Sequence, residues 1–306
     1  MDSQLLDYFL RAAELGSITR AAADLNLSQP ALSRHIAKLE QQLAARVFIR
    51  TKGGVRLTEA GMLLADRARP LLRQFALLQE QVGERAGGQI AIGIPSSWQQ
   101  VFTAHFVAAL RKHDATIALR VYEGVSNALR DHMQAGLLDL AIVPFETAPT
   151  VGYRQTPLLR EPLILVRSAA CGLSPQSPPP IGRLDGLPMV MPARPNLLRR
   201  IVERAMNQRG LNLKIAVETD TVTLCLELAR QDIGATIVPS CALPTRAAAE
   251  NLSWAPMRGL QITWALCENE SRSHSPVVSL ATRLVLDTVK RTVTRGSWRG
   301  ATTLIK

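Results

Sequence analysis

No stretch of this sequence reaches the roughly 18–20 consecutive apolar residues that a membrane-spanning helix needs. The first twenty residues carry acids and a helical pattern, where an export signal would carry a basic stretch and then an apolar run. A cytoplasmic protein without a membrane partner is therefore expected. Cysteine is sparse: Cys171, Cys225, Cys241 and Cys267 lie far apart and form no CxxC. In a chain of this size without export, buried, inert thiols are expected rather than a disulfide framework. The five histidines show no HxH or HxxxH pairing and no Cys/His ligand spacing, so no metal ligands are expected. There is also no GxSxG, no GxGxxG after a strand and no phosphate-binding GxxxxGK. No catalytic residues and no cofactor are assigned. An enzyme remains the rival class, because residues distant in sequence can still converge in a fold.

What the sequence has in excess is positive charge, a formal +11 over 306 residues. Such a charge favours a polyanionic partner, without separating nucleic acid from an anionic membrane. Its distribution is more informative. Residues 28–56 hold six Lys/Arg against the single acid Glu40. Residues 283–306 hold six against Asp287, and these read as a solvated tail.

The first basic cluster overlaps the stretch Ser17 to Leu43, which has the pattern of two short helices and a tight turn. Ser17 can cap the first helix, whose Ile18, Ala21, Ala22 and Leu25 share one face. Asn26-Leu27-Ser28 breaks the period, Ser28 can cap the second helix, and Pro30 falls in its first turn, where a missing N–H costs little. Leu32, Ile36, Leu39 and Leu43 then face inward, while Gln29, Pro30, Ser33, Arg34 and Lys38 face outward. This is the layout of a helix-turn-helix whose second helix enters a DNA major groove. An ordinary helix pair with a solvated polar face is the alternative. Val47–Arg50 and Val55–Leu57 flank Thr51-Lys52-Gly53-Gly54, a hairpin pattern whose Arg50, Lys52 and Arg56 suit a phosphate-gripping wing.

The motif SxTRAAxxLxxSQPALSRxIxxLExxL followed by FxRxxxGVxLTxAG, which runs from Ile18 to Gly61, resembles the winged helix-turn-helix of LysR-type transcriptional regulators. The resemblance implies that Gln29, Pro30, Ser33 and Arg34 face base edges and that Ser28, Lys38, Arg50 and Lys52 hold phosphates. It implies partners too: double-stranded promoter DNA, a small-molecule effector, a second or further copies of the chain as homodimer or homotetramer, and RNA polymerase.

Residues 2–15 predict a bracing helix with Leu6, Phe9, Leu10 and Ala13 on one face. From Thr58 a long helix is predicted to about Ala86, with Leu64, Ala68, Leu71, Phe75, Leu78 and Val82 at heptad spacing. We read this as a dimer seam, kinked at Pro70. Gly83–Gln89 then reads as a hinge. Next come strands at Gln89–Ile94, Ile117–Glu123, Leu140–Val143, Tyr153–Leu159 and Leu163–Arg167, alternating at first with helices, and a proline- and glycine-rich surface loop over 172–188. A second set follows at Met189–Met191, Lys214–Thr219, Ala235–Val238 and Leu260–Cys267, and the last helix spans Pro276–Thr292.

The expected fold is thus an α/β effector region of two Rossmann-like units, of the periplasmic-binding-protein type, preceded by the winged helix-turn-helix and a linker helix. The expected domains are 1–58 for DNA binding, 59–87 for the linker and 88–306 for the effector. Within the last, subdomain I would cover 88–164 and 267–306, and subdomain II 165–266. A plain solute-binding protein would explain the cleft but not the basic head.

The cleft should lie at the carboxyl ends of the strands. Ser96, Ser97 and Trp98 leave the first strand and start a helix, an arrangement that suits an anion; in LysR relatives this loop contacts the effector. Arg194 and Asn196 hold the equivalent place in the second half, and Arg194 could fork onto a carboxylate. Phe145, Thr219 and Thr221 end further strands. The expected effector is small and anionic or carboxylate-bearing. Each residue also has a plain structural reading, the hydroxyls as helix caps, Arg194 as surface and Trp98 as core. The segment MPARPNLLRRIVE is similar to the matching stretch of nitrogen-assimilation regulators in the family.

Overall fold

The computed structural model describes residues 2–51, 53–82, 88–148, 150–243 and 251–305, the side chains of 76–82 excepted. The expected hinge falls largely outside them. The chain forms two compact units, one built on Met1–Ala86 and the other on residues from Gly87 onward.

In the first unit, α1 (Ser3–Leu15) is capped by Asp2, whose carboxylate accepts from the Gln4 N–H, and closed by Gly16 in the left-handed conformation. Leu5, Leu6, Phe9, Leu10 and Ala12 are buried. Ala12 rather than the expected Ala13 completes this face, because α1 packs against three helices at once. Two of these are α2 (Ile18–Asp24), capped by Ser17, and α3 (Gln29–Leu43), capped by Ser28. Between them Asn26 adopts the left-handed φ of 54° that the tight turn needs.

The wing is the antiparallel pair β1 (Phe48–Thr51) and β2 (Gly54–Leu57). Thr51 pairs with Gly54, so these two residues, expected in the loop, belong to the strands. Gly54 has φ +133°, and a Cβ there would lie 2.1 Å from the Gly16 carbonyl oxygen. The neighbouring Val55 N–H donates to that same oxygen at 3.0 Å, which fastens the wing to the end of α1.

The third helix is α4 (Glu59–Val82), started by Thr58, whose Oγ1 accepts from the Gly61 N–H at 2.9 Å. The expected seam divides here. Leu64 and Ala68, with Ala65 and Leu72, pack into the core of the first unit, whereas Leu71 and Phe75 are exposed. Leu78 and Val82 lie beyond the described side chains.

In the second unit, among the described residues, one nine-stranded sheet runs in the order β4-β3-β5-β10-β6-β9-β7-β8, with β11 (Thr302–Thr303) beside β6. The strands β3 (Gln89–Pro95), β4 (Ala118–Gly124) and β5 (Leu140–Pro144) are parallel, as are β7 (Pro188–Met191), β8 (Lys214–Glu218) and β9 (Ala235–Pro239). Helices α5 (Ala104–His113), α6 (Ser126–Gln134), α7 (Leu197–Asn207), α8 (Val222–Arg230) and α9 (Pro276–Thr294) accompany them. Helix α9 returns to pack on α5.

Three expectations change. The pairs of short strands expected at 153–167, and the single one at 260–267, are two long strands, β6 (Tyr153–Ser168) and β10 (Leu252–Asn269), paired to each other and common to both halves. The polar Arg160-Glu161-Pro162 looks like a break, yet Pro162 sits opposite Gln261 beside a register shift, where a missing N–H is tolerated. The loop at 172–188 turns inward at a 3-10 turn, Ile181–Leu184, and buries both end residues. The helix expected to start at Ser96 begins instead as a 3-10 turn (Ser96–Trp98) and a π turn (Gln99–Thr103) before α5.

Candidate functional site

Helix α3 is held by its apolar side: Leu32 and Leu39 are fully buried and Ile36 nearly so. Gln29, Pro30, Arg34 and Lys38 are left exposed. Ser33 is half-buried and accepts from the Gln29 amide at 2.8 Å, which fixes how Gln29 leaves the helix. Ser28 accepts from the Ala31 N–H at 3.3 Å. Glu40, the acid that would dilute the basic surface, is turned inward. It accepts from the Val47 N–H at 2.8 Å and pairs with Arg46 at 3.1 Å. Arg34, Lys38 and Arg50 make no ion pair among the described residues, so their charge is available to a partner. The register places Arg50 on the face of Val55 and Arg56 on the face of Ile49, so the two arginines flank opposite sides of the wing. Lys52 lies outside the described residues.

In the second unit, strand register brings the strand ends together. Pro144, which ends β5, pairs with Trp264 of β10, and Trp264 pairs with Leu159 of β6. Pro239, which ends β9, pairs with Leu163 of β6. The two parallel sets therefore run in opposite directions and end on either side of Glu161. Around this point lies a pocket of about 600 Å³ of empty space, counting its open mouth. Every parallel strand reaches it, through Pro95, Gly124, Pro144, Pro192, Thr219 and Pro239 at or next to their ends. Ser96, Ser97, Ser126, Asn196 and Thr221 supply polar atoms, and Asp220 is the one charged residue in the lining among the described residues. Ile262 and Trp264 form part of its apolar wall.

Five of the eight residues expected at an effector site, Ser96, Ser97, Asn196, Thr219 and Thr221, are thus brought together. Three are elsewhere. Trp98 is fully buried in an aromatic cluster, its ring 4.5 Å from Trp298 and 5.5 Å from Trp264. Phe145 is partly exposed beyond the strand end. Arg194 is exposed and spends its guanidinium on Glu203, at 2.7 Å. Glu203 also takes Arg199; burial opposes its charge, but the two arginines outweigh that and hold the carboxyl below its ordinary range.

Sequence reading missed Gly124, Val125 and Ser126, although the rule that singled out the other strand ends applies equally to β4. It also missed Glu161, which is buried and receives four donors: the indole N–H of Trp264 at 2.6 Å, that of Trp298 at 3.0 Å, the Ser240 hydroxyl at 2.7 Å and the Cys241 N–H at 2.8 Å. No local pattern marks it, since its partners lie far along the chain.

Residues 3–62 match the family of bacterial regulatory helix-turn-helix proteins of the lysR type, and residues 83–290 match the LysR substrate binding domain. The chain belongs to the LysR family. It is a DNA-binding transcriptional regulator with an effector-binding unit, not an enzyme. Among its relatives is the nitrogen assimilation regulatory protein nac of Klebsiella aerogenes, 31% identical over 95% of this chain and 96% of that protein. Another is the dual regulator OxyR of Escherichia coli K12, 28% identical over 84% of this chain and 85% of that protein. The fold is shared with full-length CbnR, solved in complex with its target DNA, at a TM-score of 0.68 and 19% identity over 95% of this chain and 100% of that one. A full-length OxyR variant of Pseudomonas aeruginosa gives a TM-score of 0.66 at 21% identity over 95% of each chain.

Three of the four cysteines of this LysR-family chain, Cys225, Cys241 and Cys267, are chemically quiet. Burial pushes the thiols of Cys225 and Cys241 up, and that of Cys267 up to about 11. They stay protonated at neutral pH, and the thiolate is the reactive form. Cys171 is the more accessible thiol. Brief treatment of the native protein with a maleimide should label Cys171 and spare the other three, as read by peptide mass spectrometry. Equal labelling of all four would show that the buried set is open. The sign for stability follows: the Cys267 contribution is complete below the ordinary thiol value of 9.0 and is lost as pH rises towards about 11.

Proposed function

We propose that this LysR-type regulator reads promoter DNA with α3 and the wing, and that a small anionic effector in the pocket of the second unit modulates that binding. The DNA half rests on one observation: an outward face of Gln29, Pro30, Ser33, Arg34 and Lys38 on a helix locked by its buried side. Gln29, Pro30, Ser33 and Arg34 face base edges; Ser28, Lys38, Arg50 and Lys52 hold phosphates. Residues 1–58 act as the DNA-binding domain, 59–87 as the linker and 88–306 as the effector domain, its subdomains meeting at the pocket. Exposed Leu71 and Phe75 on α4 would be covered by a second copy, giving the two-fold protein that a two-fold operator requires. The bound complex would then bend the promoter or contact RNA polymerase.

The effector half is supported by the convergence of helix starts. Helices α6, α7 and α8 begin at Ser126, Leu197 and Val222, and the turn at Ser96 joins them, so helix-start N–H groups and hydroxyls gather where an anionic head group would sit, although Asn196 and Thr221 already cap the N–H groups of Arg199 and Leu224. With Asp220 as the charged residue of the lining, the head group would be held by N–H and O–H donors rather than by a guanidinium. A carboxylate on an apolar body suits both the donors and the wall formed by Val222, Ile262 and Trp264. Ligand binding acts only if the pocket prefers one arrangement of the halves. The test is Thr221→Val in full-length protein. The response of operator binding to the inducing carboxylate should weaken while operator affinity without it stays unchanged; an unaltered dose response would remove Thr221 from the site.

A further inference from the structure

Beside residues that line the pocket lies a built-in anion. Glu146, two residues beyond the end of β5, sits between two arginines that come from different halves of the second unit. Its Oε2 is 3.4 Å from Arg130 of α6, and its Oε1 is 3.1 Å from Arg200 of α7. Arg130 also donates to the carbonyl of Pro144 at 2.7 Å, and Pro144 lines the pocket. Arg200 lies two residues beyond Leu198, which lines it too. The backbone of Glu146 is held to β6 by the Gln155 amide, which donates to its carbonyl at 2.7 Å. The carboxylate can therefore leave the arginines without disturbing the strand.

We propose that Glu146 is a placeholder. Its carboxylate occupies a two-arginine anion site that an acidic group of the effector takes over, and the exchange breaks the link that this residue makes between the halves through Arg200. The proposal rests on the pocket of the second unit being the effector site. It adds a position for a second anionic group, beside the pocket lining, to the donors already gathered inside. Guanidinium pairs bind carboxylate, sulfate and phosphate in the same forked manner, so the ligand class is an anion with at least two oxygens presented side by side. The Glu146 pairs are partly exposed, and pairs of that kind are weak enough to exchange.

Inorganic sulfate serves as the probe, added to full-length protein at constant ionic strength made up with sodium chloride. Thermal unfolding is followed by tryptophan fluorescence, which reports on the second unit because Trp98, Trp254, Trp264 and Trp298 all belong to it. Sulfate stabilises proteins without binding as well, so each variant is compared with wild type. In Glu146→Gln the half-saturating sulfate concentration should fall by about two- to fivefold, the factor that an exposed ion pair carries. Adding Arg130→Ala should abolish the gain. The same sulfate response in wild type and Glu146→Gln, no response in either, or a gain that survives Arg130→Ala would each overturn the proposal. No DNA or effector enters this experiment, so its failure would leave the reading of the pocket standing. Failure of the Thr221→Val test would leave the arginine site standing.

Discussion

Arg34→Ala is expected to weaken binding to the operator by roughly 1–3 kcal/mol, the worth of a good bidentate contact to a base edge. Binding to random DNA of the same length should fall far less. Arg34 is exposed on the outward face of α3, one turn beyond Pro30, and makes no ion pair among the described residues. The neighbouring Lys38→Ala should behave differently, because a phosphate contact carries no sequence information. It should weaken operator and random DNA about equally and lower the dependence of log affinity on log salt by about one. Gel shifts at several salt concentrations separate the two. An equal loss on both DNAs for Arg34→Ala would make it a phosphate contact, and the base-reading set would shrink to Gln29, Pro30 and Ser33.

Glu161→Ala is expected to be the most destabilising single change in the second unit, at on the order of 3–5 kcal/mol, since several buried donors lose their acceptor together. The four donors come from Trp264 on β10, Trp298 beyond α9, and Ser240 and Cys241 after β9, so one side chain joins three segments where the two parallel sets end. At about 2–4 °C per kcal/mol for a unit of this size, the tryptophan-monitored transition should fall by roughly 6–20 °C. Glu161→Gln should cost less, because its amide oxygen still accepts while its NH2 opposes the remaining donors. Trp298→Phe isolates one donor and should be milder than either. A Glu161→Ala midpoint within a degree or two of wild type would show that water replaces the carboxylate without cost.

The parts of this molecule that could be read from its sequence are those fixed by neighbours in the chain. Ser17 and Ser28 cap helices that begin immediately after them, and Leu32, Ile36 and Leu39 follow a single helical period, so α2 and α3 were legible. The strand ends of the effector unit were legible for a similar reason, since a polar residue after a buried strand marks where a helix starts. Periodicity does not say what covers an apolar face. Leu64 and Leu71 belong to one heptad pattern, yet the first packs in the unit's own core and the second is exposed. Long-range pairing was the other blind spot. Pro162 and Glu161 look like a loop because the pairing that makes them strand lies about 100 residues away, as the separation of 103 between Glu161 and Trp264 illustrates. Arg194 was singled out for its chemistry, but whether an arginine is free depends on Glu203, in the helix α7 that follows it.

The central claim, that the basic head reads a specific promoter and the second unit modulates the reading, is tested most directly by a footprint of the full-length protein on the DNA upstream of its own gene. The account predicts protection over a two-fold repeat with half-sites about one helical turn or a multiple apart. It also predicts that a small carboxylate which enters the pocket lengthens or shortens the protected region. Protection that is uniform along the DNA and vanishes with moderate salt would contradict it, because phosphate contacts alone would then account for all binding.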